Sequence, residues 1–153
     1  MWYMRFDETI TTAAGIEPAW AAVAAVTALP KWTRSIDSVT PLDGAALQVG
    51  RRYRVKQPGF PPVVWRVSEV RDGESFTWEA SSPGVRSLAY HRLGPEPDGT
   101  TRISIGVHQT GPLAGVLGLL TGRRTRRYLR MEAAGLAAAA ETEARGRPDG
   151  IGR

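Results

Sequence analysis

The sequence predicts an α+β fold, in which a seven-stranded, antiparallel, curved sheet wraps around a long C-terminal helix in the order β-α-α-β6-α. Three observations predict it. Apolar and polar residues alternate in short runs along the middle of the chain, turn signals separate these runs, and the last third changes to a helical period. The 153 residues suffice for one domain. We expect it to span residues 1–144, followed by a disordered tail at 145–153.

Two kinds of turn alternate along the predicted sheet. Asp-Gly pairs lie at 43–44, 72–73 and 98–99. Apolar loops rich in proline and glycine lie at 57–62, 81–84 and 110–112. Successive turns of an antiparallel meander fall at opposite ends of the sheet. The sheet should therefore have a polar Asp-Gly end and a looser, apolar Pro/Gly end, and we expect a ligand to enter at the Pro/Gly end.

The N-terminal third supplies one strand and two short helical segments. Residues 3–11 alternate as a half-buried strand does. The Ala-rich segment 17–29 carries Pro18 in its first turn, a favoured place for proline, and should end at Leu29-Pro30. A second helical turn is expected at 31–34.

Six strands and a long helix follow. The strands are expected at about 35–41, 50–57, 62–71, 75–81, 84–94 and 101–110. One face of these strands is apolar and the other carries arginines, so the sheet should pack on one side only. The helix should run from Pro112 to near Ala144. Its apolar stripe changes phase at Thr121-Gly122, which predicts a kink or a break.

These elements, in this order, resemble the SRPBCC (START/Bet v 1-like, helix-grip) superfamily, and more narrowly its polyketide cyclase/dehydrase-like bacterial members. The resemblance covers residues 1 to about 142. The matching segments are Trp20 to Trp32, Val49-Gly50-Arg51, Phe76-Thr77-Trp78-Glu79, His91 near a strand's end, Asp98 to Arg102, Arg126-Arg127-Tyr128-Leu129 and Glu132-Ala133.

The resemblance implies a ligand-binding function. Proteins of this kind hold a hydrophobic ligand in a cavity between sheet and helix, and some catalyse cyclisation or dehydration. We therefore expect a lipid-, polyketide- or aromatic-like ligand, and no cofactor. The alternative is an enzyme of the polyketide cyclase/dehydratase type that uses His91 and Arg51.

Polar residues on the predicted inward faces are the candidates for chemistry, because an unpaired polar group in a core costs a few kcal/mol. They are Glu8, Arg51, Glu69, Ser87, His91, Gln109 and, on the helix, Glu132. Arg51 and Glu69 should lie across the 57–62 hairpin. They either form an ion pair that closes the cavity floor, or Arg51 binds a ligand carboxylate or enol oxygen.

His91 is either a hydrogen-bonded core residue or a general acid/base in a dry pocket. Glu132 lies about 20 residues into the long helix, or roughly 30 Å, which brings it towards the floor. We expect a buried cluster of Arg51, Glu132 and His91 there. The catalytic candidates are thus His91, Arg51, Glu69 and Glu132. His91 and His108 should face opposite sides of the sheet, so no metal site is expected.

Four inward aromatic residues are either core or the wall of a cavity, and other residues on the same faces extend that wall. The residues expected to bind ligand are Tyr53, Trp65, Phe76, Trp78, Ser87, His91, Gln109, Leu117 and Tyr128. Ser87 and Gln109 would hydrogen-bond ligand oxygens. The expected cavity mouth consists of Phe60, Pro83 and Leu113.

Charge and composition limit the partners. The net charge is +5, from 18 arginines, two lysines and 15 acidic residues. Five arginines form a dense basic helix face, which we call the arginine face: Arg123, Arg124, Arg126, Arg127 and Arg130. It is either a solvated surface or a dock for an anionic membrane or a carrier protein. Most of the other arginines are spread along the strands, so nucleic acid is not expected.

The remaining expectations concern location and assembly. With no cysteine, no signal peptide's apolar core and no apolar run of ~20 residues, a cytoplasmic protein without a transmembrane segment is expected. It would be a monomer or a homodimer.

Overall fold

A computed structural model describes residues 3–147 of the chain. The sheet consists of β1 (Tyr3–Thr12), β2 (Ser38–Pro41), β3 (Arg52–Lys56), β4 (Val63–Arg71), β5 (Ser75–Ser82), β6 (Val85–Pro95) and β7 (Thr101–Thr110). The helices are α1 (Ile16–Ala24), a 3₁₀ helix (Val26–Lys31) and α2 (Ala114–Gly146).

The sheet is a seven-stranded antiparallel meander in the order β1-β7-β6-β5-β4-β3-β2. The predicted fold class and element order are confirmed. The Asp-Gly pairs lie in the β2–β3, β4–β5 and β6–β7 connections, and the Pro/Gly loops follow β3, β5 and β7. The two kinds of turn therefore occupy opposite ends of the sheet, as their alternation predicts.

Four local predictions need correction. Helix α1 ends at Ala24 and not at Leu29-Pro30. The second helical segment is the 3₁₀ helix Val26–Lys31, which begins earlier than 31–34 and contains Pro30. Helix α2 continues through Thr121-Gly122, so the predicted break is wrong there. The helix ends at Gly146 and thus includes the first two residues of the predicted tail, while 148–153 lie outside the described residues.

A β-bulge in β4 changes which residues face the core. Val67 pairs with Trp78 and Glu69 pairs with Thr77, so Ser68 is the extra residue. The bulge reverses the alternation, because one added residue exchanges the two faces of a strand. Val70 therefore packs against the core, and Glu69 turns outward, where its side chain is 53% exposed.

The core fills the part of the molecule nearer the Asp-Gly end. Its large, fully buried side chains come from the sheet, from the two N-terminal helical segments and from α2. They include Tyr53, Phe76, Ile103, Val26 and Leu136. Burial of each large apolar side chain stabilises the fold by about 1.5–3 kcal/mol.

Small residues on α2 allow the helix to lie close to its neighbours. A Cβ atom added at Gly118 would collide with the side chain of Met4, and one at Gly122 would lie 3.6 Å from the Phe6 ring. Further along, a Cβ at Gly135 would come within 2.5 Å of the Trp32 carbonyl oxygen. Gly118 and Gly135 therefore set how near the helix lies to β1 and to the segment after the 3₁₀ helix, whereas Gly122 leaves room for a Cβ.

Hydrogen bonds fix the C-terminal half of α2 against the end of β1. The hydroxyl of Thr12 donates to the Ala137 carbonyl at 3.1 Å and is 3.0 Å from Glu141 Oε2. The backbone amide of Ala13 also donates to Glu141, at 3.2 Å. The Thr101 hydroxyl donates to the Ala14 carbonyl at 2.7 Å. This end of the molecule is therefore held both by apolar packing and by directional bonds.

Within residues 3–147, no helix combines the length and the apolar character that crossing a membrane requires. The cytoplasmic location stays a prediction.

Two glycine-to-alanine changes in α2 should have opposite effects on stability. Alanine normally favours a helix over glycine by about 1 kcal/mol. Gly122→Ala should show that gain, because its new Cβ makes ordinary van der Waals contact with Phe6. Gly135→Ala should instead lower the free energy of unfolding by more than about 1 kcal/mol, since backbone atoms of Trp32 must move. Urea denaturation followed by circular dichroism measures both, and equal stabilisation by the two changes would contradict the close approach.

Candidate functional site

A cavity of about 460 Å³ lies between the sheet and the first half of α2. Strands β3 to β7 form one wall and the helix forms the other. The helix contributes Val116, Leu117, Leu120, Thr121, Thr125, Tyr128, Leu129 and Glu132. The lining is mostly apolar, and this size is typical of small-molecule sites.

Exposed lining residues at the Pro/Gly end, Pro83 and Leu113 among them, indicate that the cavity opens there. Phe60, Pro83 and Leu113, the three predicted mouth residues, all line it there. The turn at Gly84 binds the start of α2, because the Leu113 amide donates to the Gly84 carbonyl at 2.9 Å. The hydroxyl of Tyr128 donates to the Pro58 carbonyl at 2.7 Å. Both contacts tie mouth loops to the helix.

The aromatic side chains divide between the cavity wall and the core. Trp65 and Trp78 line the cavity and stack with ring centroids 5.7 Å apart. Tyr53 and Phe76, also predicted to bind ligand, are only 0% and 1% exposed and do not line it. Alternation gave the correct face for both residues. It could not predict their position along the sheet: both residues lie nearer the Asp-Gly end than the cavity does.

His91 and Glu132 form the polar part of the cavity floor. His91 Nε2 lies 3.3 Å from Glu132 Oε2, and the two side chains are 6% and 13% exposed. The imidazole stacks on Phe76 with centroids 4.1 Å apart, and it meets Trp78 edge-on. Its position is thus fixed on two sides by aromatic packing and at Nε2 by the carboxylate.

Two buried acceptor atoms of cavity-lining residues have no partner among residues 3–147. They are His91 Nδ1 and Gln109 Oε1. In a neutral imidazole whose Nε2–H faces Glu132, Nδ1 is an acceptor. The Gln109 amide nitrogen is 3.5 Å from the Ser87 hydroxyl, which leaves its oxygen free. Buried polar atoms normally have a partner, so a molecule with hydrogen-bond donors would complete these two.

Arg51 and Glu69 lie away from the cavity, and the predicted ion pair between them is wrong. Arg51 donates to the Ala46 carbonyl at 2.8 Å, within the long β2–β3 connection. Glu69 accepts from Arg71 instead, at 3.5 Å. The β4 bulge explains the error for Glu69. The floor cluster therefore contains His91 and Glu132 without the arginine.

The structure brings together most of the predicted ligand-binding residues. Those that line the cavity are Trp65, Trp78, Ser87, His91, Gln109, Leu117 and Tyr128. Their role in binding stays a prediction. Sequence reasoning missed Thr121 and Thr125 as lining residues, although both follow Leu117 at steps of four along α2. Helical spacing was the available signal.

Gly106 of β7 joins the cavity wall to a polar cluster on the outer face of the sheet. It lies between Asp7 and Tyr90 in the strand register. Because it has no side chain, the Tyr90 hydroxyl reaches across β7 to donate to Asp7. Burial and this hydrogen bond raise the pKa of Tyr90. Burial opposes ionisation of Asp7, but hydrogen bonds from Tyr90 and Arg5 outweigh it and lower the pKa of that carboxyl.

Among residues 3–147, no three histidine, cysteine, aspartate or glutamate side chains cluster as metal ligands do.

A sequence profile described as "Polyketide cyclase / dehydrase and lipid transport" matches residues 3–141. No curated protein matches the chain.

Solved structures resemble the whole fold at low sequence identity. A hypothetical protein from Helicobacter pylori superposes with a TM-score of 0.76 at 14% identity, over 90% of this chain and 88% of that one. A Nitrosospira multiformis protein gives 0.69 at 18%, over 93% and 99%. Norcoclaurine synthase from Thalictrum flavum, solved with dopamine and hydroxybenzaldehyde, gives 0.73 at 12%, over 92% and 88%.

A double-mutant cycle should measure the coupling between His91 and Glu132. Glu132→Leu leaves the buried imidazole Nε2 without its partner and should lower the free energy of unfolding by about 1–3 kcal/mol. His91→Leu leaves the carboxylate unpaired and should cost at least as much. The double change removes both polar groups and should cost less than the sum of the two. Urea denaturation of the four proteins gives the cycle, and additive losses would show that the pair is not coupled.

Proposed function

We propose that this protein binds one small hydrophobic molecule between its sheet and α2. The proposal starts from its family: the chain belongs to the polyketide cyclase/dehydrase and lipid transport family of the SRPBCC superfamily. The observation that carries this proposal is the apolar cavity of about 460 Å³ with a mouth at the Pro/Gly end. Its walls supply the apolar contact that drives binding of such ligands.

The polar groups at the cavity wall narrow the class of ligand. Two unpartnered acceptors, on His91 and Gln109, favour a molecule that carries hydroxyl or other donor groups on an apolar, lipid-, polyketide- or aromatic-like frame. Trp65 and Trp78 offer flat faces against which a ring would stack. The ligand would therefore place its apolar frame along the walls, with one donor at His91 on the floor and another at Gln109, nearer the Pro/Gly end.

Filling the cavity should weaken binding without unfolding the protein. Ala89 lines the cavity, while its neighbour Leu88 points to the other face of β6. Ala89→Trp should weaken binding of a fluorescent naphthalene probe by at least about tenfold, because the indole takes the ligand's volume. Leu88→Trp, the matched control, should leave affinity unchanged. Titration followed by probe fluorescence measures both, and equal affinities for the two variants would place binding elsewhere.

The same titration should show whether His91, at the cavity floor, accepts a hydrogen bond from the ligand. His91→Phe keeps the stacking on Phe76 but removes the acceptor Nδ1. It should weaken binding of naphthol by about fivefold, the worth of one hydrogen bond, and leave methylnaphthalene binding unchanged. Equal effects on the two probes would show that the floor does not recognise donors.

A second candidate function is acid/base catalysis on such a ligand, and the His91–Glu132 contact favours it. The Glu132 carboxylate orients the imidazole through Nε2, and Nδ1, which has no partner among residues 3–147, would take the proton from a bound molecule. Arg51, the partner expected for stabilising an oxyanion, lies outside the cavity. The enzyme hypothesis therefore depends on His91 and Glu132.

The enzyme hypothesis predicts how substitutions change the turnover rate. On any polyketide-like substrate that the protein turns over, His91→Ala should lower kcat by about 10²–10⁴-fold, the usual contribution of a positioned acid or base. Glu132→Gln should lower it less, because the amide still holds the ring. Ser87→Ala serves as a control at the same wall. Full turnover by His91→Ala would eliminate the catalytic role and leave the binding role intact.

A further inference from the structure

The surface around the cavity mouth exposes an unusual amount of apolar side chain. Leu119 and Leu120 are 88% and 79% exposed, and Val116 and Leu113 are 55% and 50% exposed. We call these four residues the mouth patch. Leu113, Val116 and Leu120 also line the cavity, so the patch is continuous with the interior. A contiguous exposed apolar patch at a cavity mouth marks an interaction site.

Strong positive charge adjoins the mouth patch. The arginine face begins one turn after Leu119 and Leu120, and all five of its arginines are exposed. Among residues 3–147, none of the five forms an ion pair with a carboxylate. The chain has no acidic residue between Asp98 and Glu132, nor in the mouth loops 57–62 and 82–84. The segments that adjoin the arginine face along the chain therefore supply no acidic residue, and no carboxylate of the described residues pairs with it.

We propose that the mouth patch and the arginine face dock the protein on an anionic lipid bilayer, with the cavity mouth against the membrane. Exposed leucines enter the boundary between headgroups and acyl chains, and the neighbouring guanidinium groups bind anionic headgroups. Arginine suits this place because its long apolar stem lies along the surface while its charge stays hydrated. The orientation of the mouth rests on the proposed ligand-binding function.

Two other occupants fit the observations less well. A second copy of the chain would form a two-fold interface, which sets a patch against itself. Such an interface would bring two arginine faces together, and their positive charges would repel each other. An acidic protein would match the charge, but it would cover the mouth and close the cavity. A bilayer matches both the charge and the leucines, and it also dissolves the apolar ligand that must enter or leave.

Docking through charge should depend on three arginines whose side chains form no hydrogen bond, ion pair or cation–π contact with residues 3–147, unlike Arg124 and Arg126. Arg123, Arg127 and Arg130 lie at helical spacing on the exposed face. Changing all three to Gln should weaken binding to vesicles of phosphatidylcholine mixed equally with phosphatidylglycerol by about a hundredfold, since each arginine contributes about fivefold. Arg34, Arg54 and Arg66, changed together to Gln, remove the same charge elsewhere and should have little effect. Co-sedimentation measures both.

Vesicles of phosphatidylcholine alone, and raised salt, complete that experiment. Binding should be weak without anionic lipid and should fall as salt rises. Failure of the wild-type protein to bind the mixed vesicles, or equal binding by the two triple variants, would overturn the proposal.

Docking through the mouth patch should depend on its leucines. Leu119→Ser with Leu120→Ser should weaken vesicle binding by at least about tenfold, because two apolar side chains no longer enter the interface. Val49→Ser with Val64→Ser removes exposed apolar side chains elsewhere and is the control. If the leucine variant instead turns a dimer into a monomer in analytical ultracentrifugation and still binds vesicles, the patch serves a second copy and the proposal fails.

The cavity-filling variant separates this proposal from ligand binding. Ala89→Trp should bind mixed vesicles as the wild-type protein does while losing the naphthalene probe. Vesicle binding without any probe binding by the wild-type protein would defeat the proposed function alone. Probe binding without vesicle binding would defeat the docking proposal alone.

Discussion

The close approach of α2 to its neighbours is the constraint on which the rest of the structure depends. Gly118 and Gly135 allow the helix to lie against β1 and against the backbone near Trp32. On its other side the helix carries Leu117, Thr125, Tyr128 and Leu129, which face β3 to β7 across the cavity. Because the helix is anchored along one edge of a curved sheet, it cannot also fill the concave surface. The cavity follows from this geometry.

Stability and binding consequently occupy different parts of the fold. Large buried side chains and the Thr12–Glu141 hydrogen bonds concentrate nearer the Asp-Gly end. The cavity, the mouth patch and the arginine face belong to the Pro/Gly end and the first half of α2. The first half can expose leucines and like charges, both unfavourable in water, because the second half holds the helix in place.

Periodicity and turn chemistry predicted the sheet order and its two ends, and seven of the nine residues expected to bind ligand line the cavity, because these features follow from local sequence. Errors arose where one residue changes a whole pattern. The extra residue at Ser68 turned Glu69 outward and removed the expected partner of Arg51. Tyr53 and Phe76 were predicted on the correct face of the sheet. Whether a residue on that face belongs to the core or lines the cavity depends on where α2 packs against the sheet. No local pattern encodes that packing.

The His91–Glu132 contact lies where these two parts meet, and this position matters for either proposed function. A polar pair deep in a continuous core would only cost desolvation, whereas one at a cavity floor can be completed by a ligand. His91 is held by Phe76 from the core side, and its Nδ1 has no partner within residues 3–147. Rigid placement of an unsatisfied acceptor lowers the ordering cost of binding a donor. An acid/base residue needs the same rigid placement. The arrangement therefore serves ligand recognition first, and it permits chemistry only if a ligand offers a transferable proton at His91 Nδ1.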